Sequence, residues 1–209
     1  MRTPLLACLG LALTSALTVT AAGPVQARST TSTDPTGDVR TFVLDETAED
    51  GPIADSPSDT SEGDVVSSTL SHTRRSVRVR ISYAELTSTP DSHGWYFEFR
   101  GSNGQKRVVE VATQGGQTKG YARMYRKGNG RQVCKRAIGR TVSYRDDDVL
   151  VTFPRRCMET PAQVRMSNVG YWIEDSGSDT VTFYYDDPLR EGGSADDSAT
   201  TFTPWVKRG

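Results

Sequence analysis

Histidine and cysteine are scarce in this chain, with two of the first and three of the second among 209 residues. A zinc site built from close-set His and Cys therefore lacks its ligands. Neither His72 nor His93 stands beside a Gly-x-Ser-x-Gly elbow, a zinc-type His spacing or an evident nucleophile. These absences point away from enzymatic chemistry. One class escapes them, because two glycosidase carboxylates a few ångströms apart leave no mark in a sequence. An unrecognised hydrolase thus stands as the third functional reading.

Long apolar runs are missing too, with one exception. Leu5 to Val19 follows Arg2 and leads into small residues, the layout of an export signal with a positive n-region and an apolar h-region. The run is shorter than the ~20 residues a bilayer span requires, so it reads as a removable leader rather than an anchor. Thr20-Ala21-Ala22 and Val25-Gln26-Ala27 both fit cleavage, and the second gives a signal peptide of residues 1–27. Leu5-Leu6-Ala7-Cys8 loosely resembles a lipoprotein box, but it lies too early in the segment. The expectation is a secreted, extracellular protein with no membrane span. In that oxidising setting Cys134 and Cys157 read as one disulfide.

Helical periodicity is the third absence. No window carries a sustained 3.6-residue stripe, and Tyr83 to Leu86 has room for one turn at most. What the chain does have is alternation. In "SVRVRISY", Val77, Val79, Ile81 and Tyr83 alternate with polar residues, and in "GWYFEFR", Trp95, Phe97 and Phe99 do the same. Successive side chains of a strand point to opposite faces, so each run predicts one buried and one wet face. Further strands are predicted at 65–72, 107–113, 120–126, 132–137, 141–145, 149–153, 162–168 and 180–186. Turn sequences such as Ser102-Asn103-Gly104, Gly128-Asn129-Gly130 and Asp146-Asp147-Asp148 separate them. The fold class predicted is all-β: an antiparallel β-sandwich, jelly-roll or immunoglobulin-like, with one disulfide. Cys134 and Cys157 flank the pair 141–145 and 149–153, so their bridge would cinch that hairpin at its open end.

Residues 28–33 read as a polar tail, and 34–206 as a single domain with a disordered acidic loop at about 48–63. Charge divides the chain unevenly. Residues 28–64 carry two basic and ten acidic side chains, 65–170 nineteen and eight, and 171–209 three and eight. Either the acidic ends fold back over the basic middle, or a basic face awaits an anionic partner. The first is the plainer reading.

"DPTGDV", the acidic loop and "GDVVSSTLSHTRRSVRVRISYAEL" together resemble a group of secreted actinobacterial proteins of unassigned function. "VTFPRRCMETPAQVRMS" is similar to that group's second signature, a Pro-Arg-x-Cys turn between strands. The likeness spans residues 34–187, and the arginine-heavy usage fits a high-GC host. More distantly, the layout resembles DOMON and carbohydrate-binding sandwiches, which often place an Asp-x-x-Gly-Asp segment near a calcium ion or the sandwich edge. That resemblance implies ligand or surface binding and no particular activity.

Two candidate sites follow. Calcium takes six to eight oxygens, which short Asp-rich loops supply. Asp34, Asp38 and Asp45 could meet Asp186 and Asp187 after "VTFYY", with Asp64 in reserve. The alternative is that Asp34 and Asp38 only shape an Asx-type turn. The second candidate is a set of rings, Tyr96, Tyr121, Tyr125, Trp172 and Tyr184, that would stack on sugar faces, the alternative being core packing. The functional expectation is a secreted, non-catalytic binding module for polysaccharide or cell-envelope surface, calcium-supported. A structural or interaction sandwich with a protein partner is the alternative. Tyr121, Arg123, Tyr125, Arg126 and Lys127 mix rings with cations, yet export and acidic flanks argue against nucleic acid.

Overall fold

The structure, a computed structural model, describes residues 28–45, 54–115, 117–175, 180–189 and 201–209. The expected leader and residues 48–53 of the predicted acidic loop lie outside them. Fourteen strands follow in chain order: β1 (Arg28–Thr33), β2 (Arg40–Asp45), β3 (Ala54–Pro57), β4 (Val65–His72), β5 (Ser76–Tyr83), β6 (Ser92–Gly101) and β7 (Lys106–Gln114), then β8 (Tyr121–Arg126), β9 (Gln132–Val133), β10 (Gly139–Ser143), β11 (Asp148–Pro154), β12 (Gln163–Asp175), β13 (Thr180–Asp186) and β14 (Val206–Lys207). The helical content of the described residues is one short 3₁₀ turn, Arg155–Met158.

Two antiparallel sheets result. One has five strands in the order β1-β4-β5-β11-β10; the other has nine, β3-β2-β13-β12-β6-β7-β8-β9, with β14 pairing the lower half of β12. This is an antiparallel β-sandwich, and its layers meet where alternation predicted. Val77, Val79 and Ile81 of β5 face Phe97 and Phe99 of β6, all fully buried. Phe99 meets Phe153 of β11 edge-on at 4.9 Å between ring centroids. Each such side chain contributes ~1.5–3 kcal/mol by leaving water. Trp95 donates its indole N–H to the Tyr83 hydroxyl at 2.6 Å, which satisfies a polar group inside the core.

The disulfide joins Cys134 to Cys157 with Cα atoms 5.6 Å apart. It ties the turn before β10 to the 3₁₀ turn after β11, closing the β10–β11 hairpin at its open end. Arg107, buried at the end of β7, donates from Nε to the Cys157 carbonyl at 3.1 Å and fixes the same turn.

Three sequence expectations need correction. Residues 28–33 are no tail but edge strand β1, paired with β4 from Arg28↔His72 to Thr33↔Ser67. Hydroxyl side chains suffice there because an edge strand is held by its main chain. The predicted loop includes β3, paired with β2 and ending on Pro57, a position where the missing N–H costs nothing. Strand 132–137 shrinks to two residues, since Cys134 and Arg136 take φ of 51° and 62° to present the disulfide turn. Tyr83 to Leu86, with room for one turn at most, makes none, and Glu85 forms a parallel bridge with Glu62.

Candidate metal centre and ligand face

β1 ends in the five-stranded sheet and β2 begins in the nine-stranded one, so residues 34–39 cross between layers at the sandwich edge. Asp34 is fixed by its own N–H, which donates to the Val66 carbonyl at 3.0 Å. Gly37 turns the chain at φ +88°, a conformation that side-chain-bearing residues avoid. Its N–H donates to Asp64 Oδ2 at 2.8 Å. From the other layer, Asp186 at the end of β13 accepts the Val65 N–H at 2.6 Å. Three separate backbone anchors thus aim carboxylates at one point.

Ligand oxygens of Asp34, Asp38 and Asp186 all lie within 4.8 Å of one another. Two oxygens bound to one calcium at 2.3–2.6 Å stand at most about 5 Å apart, so the cluster has the span of a single-ion site. Asp34, Asp64 and Asp186 are 9 %, 2 % and 2 % exposed. Asp34 Oδ2 and Asp64 Oδ1 are buried without a hydrogen-bond partner. Burial, then the charges of Asp186, Asp38, Asp64 and Asp187, push the Asp34 carboxyl up to about 8. Burial foremost raises Asp186 to about 7, against the Val65 N–H that favours its charge. Asp64 is also raised, by burial against the Gly37 N–H. The cluster therefore favours either bound protons or a bound cation, and its all-carboxylate donor set suits a hard divalent ion.

Of the acids expected there, Asp34, Asp38 and Asp186 come together, and Asp64 and Asp187 act on them electrostatically. Asp45 does not. Register sets it opposite Thr180, at the far end of β2 from the crossover. Five residues of extended strand put it roughly 17 Å away, beyond a side chain's reach.

The rings divide between the two faces of the nine-stranded sheet. Tyr96 (41 % exposed) and Tyr121 (39 %) point outward, with Tyr125 half-buried on the same outer side. Tyr121 donates its hydroxyl to Glu110 Oε1 at 2.6 Å, and the Arg123 guanidinium lies 4.5 Å above its ring. That hydrogen bond, with burial behind it, pushes the phenol up to about 12. Tyr171 packs over Gly94 on this face, where any β-carbon would strike the ring. The sequence reading missed Trp205, 42 % exposed, and Phe202 beside it. Arg165 lies over both rings, at 4.7 Å and 4.9 Å, and Arg100 lies 4.1 Å from Phe202. Buried Glu98 anchors the floor by accepting from Arg100 at 2.9 Å and from Lys127.

Trp172 leaves the set of expected platforms: it is 2 % exposed and faces inward, with half-buried Tyr184 stacked on it at 4.8 Å. Gly63, at φ +70°, lies so close to the indole that an added β-carbon would come within 2.1 Å of it. Alternation along β12 held the reason: Trp172 shares a face with Asn168 and Met166, both buried.

His72 is buried, its Nδ1 3.2 Å from the Val206 carbonyl. His93 stacks on Trp95 at 5.8 Å, and burial lowers it to about 4. The carboxylate nearest its Nε2 is Glu62, at 3.8 Å. No protein-family model matches this chain, and no curated protein does either.

Proposed function

We propose that this protein is a secreted, non-catalytic binding module for extracellular polysaccharide, with a calcium ion holding its sandwich edge. The observation that carries the reading is the outer face of the nine-stranded sheet. Tyr96 and Tyr121 there keep about two-fifths of their surface in water although aromatic side chains are normally taken into cores. Flat rings match the C–H faces of sugars, and the Arg and Glu side chains between them supply hydrogen bonds to hydroxyls. Asp34, Asp38, Asp64 and Asp186 would hold the ion, which would neutralise acids that otherwise repel one another.

The test is binding to an array of neutral and charged glycans, followed by titration with the best of them. Replacing Tyr96 or Tyr121 by Ala is expected to weaken binding roughly tenfold, the equivalent of about 1.4 kcal/mol. Unchanged affinity in both variants, or no glycan retained by the wild type, would overturn the assignment.

A further inference from the structure

The two ends of the five-stranded sheet carry opposite charge. At one end lie the carboxylates around Asp34, together with Asp148, which begins β11 opposite Ser82 of β5. At the other, Arg28 begins β1 opposite His72, and Pro154 of β11 lies opposite Ser76. A strand of six residues separates the two poles by roughly 20 Å.

The second pole is basic. A cleft of about 480 Å³ opens there, lined by Arg28, Arg155, Lys207 and Arg208 with Thr160 and Gln163, and no carboxylate lines it. Arg155 is held in place: its own N–H donates to the Arg75 carbonyl at 2.8 Å, and its guanidinium reaches the Arg74 and Thr160 carbonyls at 3.3 and 3.4 Å. Its Nε is buried without a partner. Arg74 and Arg75 lie in the turn these bonds grip, and Arg156 is next along the 3₁₀ turn. Among the described residues, ion pairs engage Arg80, Arg100, Arg107, Arg126 and Lys127 and none of these seven cations. Burial, with Arg155 and Arg208 adding to it, holds nearby His72 below its ordinary value despite the Val206 carbonyl.

The four cations that line the cleft repel one another, and none of them has an ion-pair partner among the described residues. We infer that this cleft is a binding site for an acidic polysaccharide, its carboxylates held by Arg28, Arg155, Lys207 and Arg208. Guanidinium groups pair with carboxylates in bidentate fashion, and Thr160 and Gln163 supply neutral partners for sugar hydroxyls. The cleft lining contains no aromatic ring on which a nucleobase could stack, and its apolar members, Pro161 and Ala162, are too small to anchor in a bilayer. The site is separate from the tyrosine face, so it stands or falls independently of the ring-stacking assignment.

Titration with polygalacturonate, and with the same polymer methyl-esterified, tests this directly. The wild type is expected to bind the acid form, to lose affinity steeply with salt, and to ignore the ester. Arg28, Lys207 and Arg208 are exposed, so replacing all three by Glu leaves the interior untouched, which an unchanged melting midpoint would verify. That variant is expected to bind at least roughly tenfold more weakly, with a flatter salt dependence, because fewer counterions are displaced. Equal affinity for the ester, full retention by the triple variant, or tighter binding to oligo-dT or to anionic vesicles would each overturn the proposal.

Discussion

Asp34 concentrates the physical tension of this molecule in one side chain. It is 9 % exposed, has an oxygen without a partner, and is acted on most strongly by burial and four other carboxylates. Its amide analogue keeps the shape and one acceptor while removing the charge. Asp34→Asn is therefore expected to raise the melting midpoint in calcium-free buffer at pH 9 by roughly 2–4 °C, the equivalent of about 1 kcal/mol for a domain of this size. On the proposed reading it also abolishes stabilisation by calcium. A lower midpoint in chelator would show that the charge is compensated by something else. Trp172 illustrates the converse at the same scale. As a residue type it invites a binding role, yet its neighbour Gly63 leaves room for an indole and nothing more.

Among the elements, the β10–β11 hairpin with its flanking turns is the one most dependent on covalent help. β10 is a five-residue edge strand with a single neighbour, and Cys134 needs a positive φ to reach its partner. Closing a loop of 23 residues stabilises the fold by about 3 kcal/mol in the chain-entropy model. Replacing both cysteines by serine is expected to lower unfolding free energy by about that amount in urea titration. Since Arg107 also grips the Cys157 carbonyl, the hairpin should still form in the variant. A loss below 1 kcal/mol would place the constraint in Arg107 instead. The elements misread from sequence share a cause. β1 and β3 lack an apolar face because each sits at the outer edge of its sheet, where backbone pairing decides. β12 runs on to Asp175 because it pairs β6 along ten residues while β14 and β13 share its other side.

For the whole molecule, the acid pole sets the response to pH. Asp34 and Asp186 have values raised to about 8 and about 7 in the folded chain from 3.8. The folded state thus holds protons that the unfolded state has released, and stability must fall as pH rises through that range. Buried His93, lowered to about 4 from 6.5, acts in the opposite direction below pH 6.5. The clean window is therefore between pH 6.5 and about 8. There the midpoint in chelator is expected to drop as pH rises, and millimolar calcium is expected to restore it, most strongly at the alkaline end. Binding to the native state alone must raise the midpoint by mass action. An absence of any calcium shift at pH 8 would remove the metal from the proposed function and leave protonation as the cluster's means of relief.

Charge also has to be read at this scale. The segment totals put acids at the chain ends and cations between them, and the plainer expectation was mutual neutralisation. Among the described residues, the Asp34 cluster and the Arg28 cleft lie at opposite poles of the five-stranded sheet, because β1 and β4 run antiparallel between an Asp34 end and an Arg28 end. The sequence by itself determined the sandwich, since period-two alternation admits only one buried face per strand, and it pointed to the disulfide, since Cys134 and Cys157 are the two cysteines that follow the leader-like segment. It also brought most of the acids of the cluster into view. Which rings face water, which acids converge and where the cations gather were decided by tertiary structure. Strand register and the crossover between layers join residues more than a hundred positions apart, such as Val65 and Asp186, and no local pattern encodes that distance.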